Sequence, residues 1–119
     1  MRYLLMITAA DDDGLQIPED EEAEAMAGYQ AFNAAAGAAG ALLSGERLRP
    51  SSTATTVRIR DGETLITDGP FAESKEHLGG FYIIEAADLD AAVVWAQQIP
   101  GARFGSVEIR PVWEMEMPS

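Results

Sequence analysis

The first half of the chain changes from a strand-like to a helix-like pattern of apolar positions. Residues 3–7 are an almost continuous apolar run, which predicts a strand in the middle of a sheet. Pro18 and the four acidic residues after it predict a helix start, because acidic side chains favour the positive end of a helix. Gly37 and Gly40 predict the helix end, and a second strand is expected at about 41–48. The apolar stripe of this helix comprises Ala25, Tyr29, Phe32 and Ala36.

A hairpin and a further strand are predicted next. Residues 55–60 alternate with period two, Asp61-Gly62 is typical of a tight turn, and residues 63–67 return as the second hairpin strand. Another strand is expected at 81–85, after two glycines. This order places a two-stranded unit between the second strand and the strand at 81–85.

The last third of the chain predicts a second helix and a final strand. Asp88 is expected to cap the helix, and Pro100-Gly101 to end it. Trp95 lies off the predicted core stripe, and the last strand is expected at 106–112. The predicted core stripe of this helix comprises Leu89, Ala92, Val93, Ala96 and Ile99.

Without the hairpin, the elements read β-α-β twice, which predicts an α+β, ferredoxin-like fold with an inserted β-hairpin. No linker divides the chain, so residues 1–119 are expected to be one domain. Two helices cover only one face of such a sheet, and a second copy of the chain is the expected cover for the other face. The sequence therefore predicts a homodimer.

Charge and cysteine content narrow the classes of function. Twenty Asp and Glu against eight Lys and Arg give a net charge of −12, which opposes direct binding to nucleic acid or to anionic lipid. The chain has no cysteine, which fits a reducing compartment. We expect a cytoplasmic protein without a membrane span, since no apolar run approaches the required length of about 20 residues.

The run 67–76 holds most of the candidate chemistry. Asp68 is either a general base or a turn residue that binds backbone amides. Glu73, Lys75 and Glu76 either orient a polar ligand or form a solvated rim. His77, the only histidine, is a candidate proton carrier or an incidental surface residue. Asp68, Glu73 and His77 are thus the candidate catalytic residues.

Arg110 is expected to form a structural pair with a carboxylate, and anion binding is the alternative role. It lies in the last strand between apolar neighbours, so we expect it to be partly buried and paired with Asp68 or Glu73. Arg47, at the end of the second strand, is a second candidate. Lys75 and Tyr82 complete the candidate ligand-binding residues. One histidine with scattered carboxylates predicts no metal site, and no cofactor motif is present, so no cofactor is expected.

The chain resembles the YCII-related family, in the branch with an Asp-Gly-Pro-Phe signature. The signature stands at 68–71, and the resemblance covers essentially the whole chain. It implies a dimeric α+β barrel, with two sheets face to face and a cleft between sheet and loops. The matching residues are 1–6, 39–45, 67–76, 78–82, 86–93, 95–96 and 105–112.

The chain departs from the family branch for which a His-Asp catalytic pair is proposed. That histidine falls early in the first helix, but 19–31 contain none. That aspartate precedes a proline after the second helix, where this chain has Ile99. The main hypothesis is therefore a protein that binds a small polar or anionic molecule. The alternatives are a cofactor-free isomerase or lyase, and, from family context alone, a regulatory partner of a sigma-type factor.

Overall fold

The computed structural model describes residues 1–10, 18–69 and 76–115. Within these ranges it contains six strands and three α-helices, with short 3-10 turns at Glu19–Glu21 and Ser51–Thr53. In chain order these elements are β1 (Arg2–Ala9), α1 (Glu22–Ala38), β2 (Leu42–Arg47), β3 (Thr55–Arg60), β4 (Glu63–Asp68), β5 (His77–Glu85), α2 (Leu89–Gln97), α3 (Gly101–Phe104) and β6 (Ser106–Pro111).

The main sheet has four strands in the order β2-β5-β1-β6, and all its pairs are antiparallel. This is the ferredoxin-like order, so the predicted α+β fold and the central position of β1 are confirmed. β3 and β4 form a separate two-stranded sheet, the inserted hairpin. Its turn is Asp61-Gly62, where φ angles of 53° and 79° match the left-handed conformations of a type I′ turn.

One face of the main sheet, the core face, is covered by helices. Burial alternates along β1, and Tyr3, Leu5, Ile7 and Ala9 are the buried positions. The predicted stripe of α1 packs here, with Ala25, Phe32 and Ala36 buried and Tyr29 partly buried. The hydrophobic core of the described residues therefore lies between this face and the helices.

The predicted stripe of α2 is wrong at two positions. Ala92, Ala96 and Ile99 are buried, but Leu89 and Val93 are 52% and 36% exposed. Trp95 instead joins the core, where its ring meets Phe32 edge-on at 6.1 Å. The helix is only nine residues long, so a small rotation about its axis decides which side chains face the sheet.

Several element boundaries also differ from the sequence-based expectation. β5 begins at His77, four residues before the expected start, because His77 and Leu78 pair with β1 and Gly80 pairs with both β1 and β2. Gly37 lies inside α1, and Gly40, with φ of +71°, follows its end. α3 was not expected from the sequence, since Pro100 ends α2 but also stands at the N-cap of α3.

The other face of the main sheet, the open face, carries none of the helices that the structure describes. Strand pairing places Leu4, Met6, Phe81 and Ile83 next to one another on this face. All four are partly exposed, whereas their neighbours on the core face are largely buried. Within the described ranges, no helix is long and apolar enough to cross a membrane.

Candidate functional site

Tyr82 lies on the core face of β5, where β5 is flanked by β1 and β2. It pairs with Leu5 on one side and with Gly45 on the other. Its ring packs against Phe32 of α1 at a centroid distance of 4.7 Å. A Cβ atom at Gly45 would collide with this ring, so the glycine lets Tyr82 lie over β2. The ring is fixed in the core, while its hydroxyl group reaches α1.

Two side chains of α1 lie near the hydroxyl group of Tyr82. Asn33 is a hydrogen-bond partner of Tyr82. Tyr29, one turn earlier, approaches the backbone of Gly101 and lies within electrostatic range of Tyr82. Burial raises the pKa of Tyr29 above 10.0, and the nearby Tyr82 adds to this rise. Burial likewise raises the pKa of Tyr82, and both side chains are therefore neutral hydrogen-bond donors at physiological pH.

Arg47 brings a positive charge to the same place. It lies two residues after Gly45 on β2 and pairs with Gly80, so it shares the core face with Tyr82. Its charge opposes the rise in the pKa of Tyr29, so Arg47 lies within electrostatic range of that side chain. We call Tyr29, Asn33, Arg47 and Tyr82 the tyrosine cluster. It combines two phenols, an amide and a cation, a set suited to a ligand rich in oxygen.

His77 begins β5 on the core face, because it pairs with the buried Ala9. It is half-buried, and its Nδ1 lies 2.9 Å from the Ser51 hydroxyl. Either atom is the donor, depending on the histidine tautomer. The candidate proton carrier is therefore on a strand, on the same face as Tyr82, rather than in the expected loop.

Glu76, directly before β5, is held by two hydroxyl groups. Thr8 of β1 donates to its carboxylate at 3.0 Å, and Ser106 of β6 donates at 3.2 Å. The two hydroxyl oxygens are 2.8 Å apart. These bonds join the end of the signature run to two strands of the main sheet. They fix where β5 begins, which gives Glu76 a structural role that the sequence did not indicate.

Arg110 is not buried in the chain, contrary to the expectation. It pairs with Leu4 on the open face, whereas its apolar neighbour Ile109 faces the core. Its side chain is 69% exposed, and the guanidinium group lies 3.7 Å from Glu108. The side chains of adjacent strand residues point to opposite faces of the sheet. Apolar neighbours therefore do not indicate whether the residue between them is buried. Its role in anion binding stays a prediction.

The remaining candidates are not brought together with the tyrosine cluster. Asp68 ends β4 in the hairpin sheet, opposite Thr55, and its backbone neighbour Gly69 donates to the Ala54 carbonyl at 2.7 Å. Among the described side chains, the acidic partner of Arg110 is Glu108 rather than Asp68. Glu73 and Lys75 lie outside the described residues. Their predicted roles, and that of Asp68, stay predictions.

A shallow groove of about 410 Å³ lies on the opposite side of α1, against the turn between α2 and α3. Its lining combines four small residues of α1 with polar and apolar side chains, and Arg103 is its cation. Arg103 already faces Glu21 at 3.7 Å and Glu24 at 3.9 Å. The tyrosine cluster is the better candidate, since its polar groups lie together and burial raises the pKa of its two tyrosines. Within the described ranges, no three acidic or histidine side chains are grouped to hold a metal ion.

The sequence indicated only half of the tyrosine cluster. Arg47 and Tyr82 were candidate ligand contacts, and the sheet does place them on one face. Tyr29 was assigned to the core stripe, and Asn33 was not considered. Their spacing of four residues on a helix was the available signal, since it aligns a phenol and an amide on one side.

The chain matches known proteins over most of its length. The family model of the YCII-related domain matches residues 1–116. An uncharacterised protein of Rhizobium meliloti (strain 1021) is 48% identical over 68 residues. That match spans 56% of this chain and 55% of the relative, so this chain covers about half the length of the relative.

A solved structure is similar in fold across nearly the whole chain. It is the 5-chloro-2-hydroxyhydroquinone dehydrochlorinase of Burkholderia phenoliruptrix AC1100, in complex with 2,5-dihydroxybenzoquinone. The TM-score is 0.51 at 16% sequence identity, with 98% of this chain and 96% of that chain covered. At this identity the likeness concerns the fold alone.

Proposed function

This chain belongs to the YCII-related family, and from that membership we propose that its tyrosine cluster binds a small polar or anionic molecule. The observation that carries the proposal is the convergence of Tyr82 and Arg47 with Tyr29 and Asn33 on one face of the sheet. Each of these side chains donates hydrogen bonds, and one carries a full positive charge. Carboxylate, phenolate and carbonyl oxygens are the matching acceptors.

Local charge supports an anionic ligand despite the net charge of −12. Residues 47–60, which we call the basic segment, contain four arginines and no acidic residue. Arg47, the first of them, is the cation of the tyrosine cluster. An anion that the chain as a whole repels is therefore attracted at this end of β2.

The ligand of the structural neighbour offers acceptors of the kind that the tyrosine cluster would bind. 2,5-Dihydroxybenzoquinone is a small ring with oxygen substituents. Two neutral phenols and a guanidinium group suit such a ring, because they donate to its oxygens and offset negative charge on it. We therefore propose small oxygen-substituted rings and carboxylates as the ligand class, and the cytoplasm as the place where the chain binds them.

We also propose that the chain is a homodimer. Leu4, Met6, Phe81 and Ile83 form an apolar strip on the open face that no helix of the described chain covers. Antiparallel sheets bury such a face against a second layer. A second copy supplies that layer by a two-fold axis, in which the same strip meets itself.

Calorimetric titration with 2,5-dihydroxybenzoquinone, and with benzoate and hydroxybenzoates as further probes, tests the binding site. Arg47→Gln removes the cation of the tyrosine cluster, and Arg49→Gln is the matched control that removes the same charge two residues away. A hydrogen bond to a charged group contributes about 1.5–3 kcal/mol, so Arg47→Gln is expected to weaken binding by at least about tenfold. The control is expected to change affinity less than about threefold. No binding of any probe, or equal losses in both variants, would refute the site.

One observation favours acid/base chemistry as a second function. His77 shares the core face of β5 with Tyr82 and is held by Ser51 at 2.9 Å. A histidine held on the face that carries the tyrosine cluster is a candidate for moving a proton, with Arg47 as the group that would stabilise an oxyanion. His77→Gln leaves probe affinity unchanged if the chain only binds. If His77→Gln also abolishes a turnover of the bound ring, the isomerase or lyase function replaces simple binding.

A further inference from the structure

A β-bulge lies in β5, two residues after the start of the strand. Ile7 of β1 lies opposite Gly80, and the pairing up to this point is regular. Thr8, the next residue of β1, lies opposite Leu78, so Gly79 is left over as the extra residue of the bulge. A shift of one residue exchanges the two faces of a strand, so the bulge changes which side chains of β5 face the core.

The bulge places a histidine where the apolar pattern would place a leucine. Without the bulge, Leu78 would lie opposite the buried Ala9 on the core face; with it, His77 lies there. Leu78 is left 40% exposed on the open face, while His77 is half-buried. The hydrophobic effect favours the reverse, with the leucine buried and the imidazole in water. Places where the fold overrules the local apolar pattern are typical of functional sites.

The hydrogen bonds of Glu76 to two hydroxyl groups require the bulged register. Thr8 and Ser106 lie opposite each other on the open face. The Glu76 carboxylate lies 3.0 Å from the first hydroxyl oxygen and 3.2 Å from the second. Side chains alternate along a strand, so Glu76 reaches the open face when His77 faces the core. In the regular register these two residues would exchange faces, and Glu76 would point away from both hydroxyl groups.

The segment that follows β2 contacts the bulge and the histidine from the other edge of β5. Its Leu48 amide donates to the carbonyl group of the bulge at 2.9 Å, and its Ser51 hydroxyl lies 2.9 Å from Nδ1 of His77. On the core face of β5, only Gly80, which has no side chain, stands between His77 and Tyr82. The imidazole is therefore the next side chain of β5 along the face that carries the tyrosine cluster.

We propose that Glu76 is the positioning residue of His77, because its bonds to Thr8 and Ser106 hold the bulge that places the imidazole on the core face. Bulges next to active sites redirect side chains in this way. Glu76 acts from the opposite face of the sheet, so it positions the histidine without sharing its surroundings. The use of His77 in proton transfer rests on the proposed function, whereas its placement by Glu76 does not depend on a ligand.

Nuclear Overhauser contacts between β1 and β5 measure the register directly. In the parent chain, Thr8 is expected to show cross-strand contacts to Leu78. In Glu76→Ala these contacts are expected to be lost and replaced by contacts to Gly79. Glu108→Ala is the matched control, because it removes the same charge from the open face on β6, and its contacts are expected to match those of the parent. Unchanged contacts in Glu76→Ala, or an equal loss in the control, overturn the proposal.

A second variant and a second signal keep the test valid if Glu76→Ala does not fold. Thr8→Val combined with Ser106→Ala removes both hydroxyl groups and keeps the carboxylate, so the same contacts are expected to be lost. His77 is the only histidine, so one pair of imidazole ¹⁵N signals reports its bond to Ser51. In each variant these signals are expected to shift towards those of Ser51→Ala. Parent-like signals in either variant, once folded, overturn the proposal. A shift without binding of any calorimetric probe refutes the proposed function and supports the positioning of His77.

Discussion

Tyr29 and Tyr82 show how a fold changes the chemistry of single side chains. Both are ordinary phenols in the sequence, and no motif around either one indicates a shifted pKa. Packing of α1 on the core face partly removes them from water and raises their pKa values. Each tyrosine therefore stays a hydrogen-bond donor over a wider pH range than in the unfolded chain.

This shift predicts how stability depends on pH in alkaline solution. The pKa values of the two tyrosines are higher in the folded chain than in the unfolded chain. Their neutral side chains therefore contribute fully to the free energy of unfolding below about pH 10, the ordinary tyrosine pKa. This contribution is lost as pH rises through the pKa values of the folded chain. Denaturation midpoints measured from neutral pH to about pH 11 are expected to fall at the alkaline end. The denaturation midpoint of the variant with both Tyr29→Phe and Tyr82→Phe is expected to fall less steeply with pH. Parallel curves for the two proteins would contradict the role of burial.

Helix α2 shows how much one capping residue contributes to an element. Asp88 has an extended backbone, and its carboxylate accepts a hydrogen bond from the Ala91 amide at 2.9 Å. This bond satisfies one of the free amides of the first turn. The predicted N-cap is therefore confirmed, and it fixes the start of a helix whose rotation brings Trp95 into the core.

Asp88→Ala is expected to destabilise the chain by about 1 kcal/mol, since loss of an N-cap costs between about 0.5 and 2 kcal/mol. Asp90→Ala is the matched control, because Asp90 lies in the same first turn but is not the capping residue. Its loss removes only the interaction with the helix dipole, about 0.3–1 kcal/mol at most. Urea titration of the three proteins gives the comparison. A control as unstable as Asp88→Ala would assign the effect to charge rather than to the cap.

The single chain exposes two groups of apolar side chains, one on the open face and one on the hairpin. Leu4, Met6, Phe81 and Ile83 lie on one side of the sheet, and Val57, Ile59 and Ile66 lie on the hairpin. Exposed apolar patches of this kind mark interaction surfaces. The patch on the open face is the one that the proposed homodimer covers.

The homodimer is tested by a pair of equivalent substitutions. Met6→Lys places a charge in the middle of the open face, whereas Met26→Lys places it on the outer side of α1, where Met26 is 58% exposed. A charge buried without a partner costs several kcal/mol, so Met6→Lys is expected to give monomers at micromolar concentration in light scattering. Met26→Lys is expected to remain dimeric. A monomeric parent chain, or a dimeric Met6→Lys variant, would contradict the open face as the interface.

The sequence by itself determined the order of elements and the class of fold. The periods of two and of three to four, Asp88 as a cap and Asp61-Gly62 as a turn are local features, and each acts within a few residues of chain. For this reason the hairpin, both main helices and the ferredoxin-like order were predicted correctly. Arg47 and Tyr82, the two strand residues of the proposed site, were also named from the sequence as candidates, and their role in binding stays a prediction.

Only the tertiary structure decided which side chains share a face and which are buried. Arg110 is exposed, because strand pairing puts it on the open face, and no local pattern carries that information. The contact of Glu76 with Thr8 and Ser106 joins three distant segments. Tyr29 and Asn33 meet Tyr82 only when α1 packs on the sheet. Such contacts depend on register and on helix rotation, which are set by the packing of the whole core rather than by neighbouring residues.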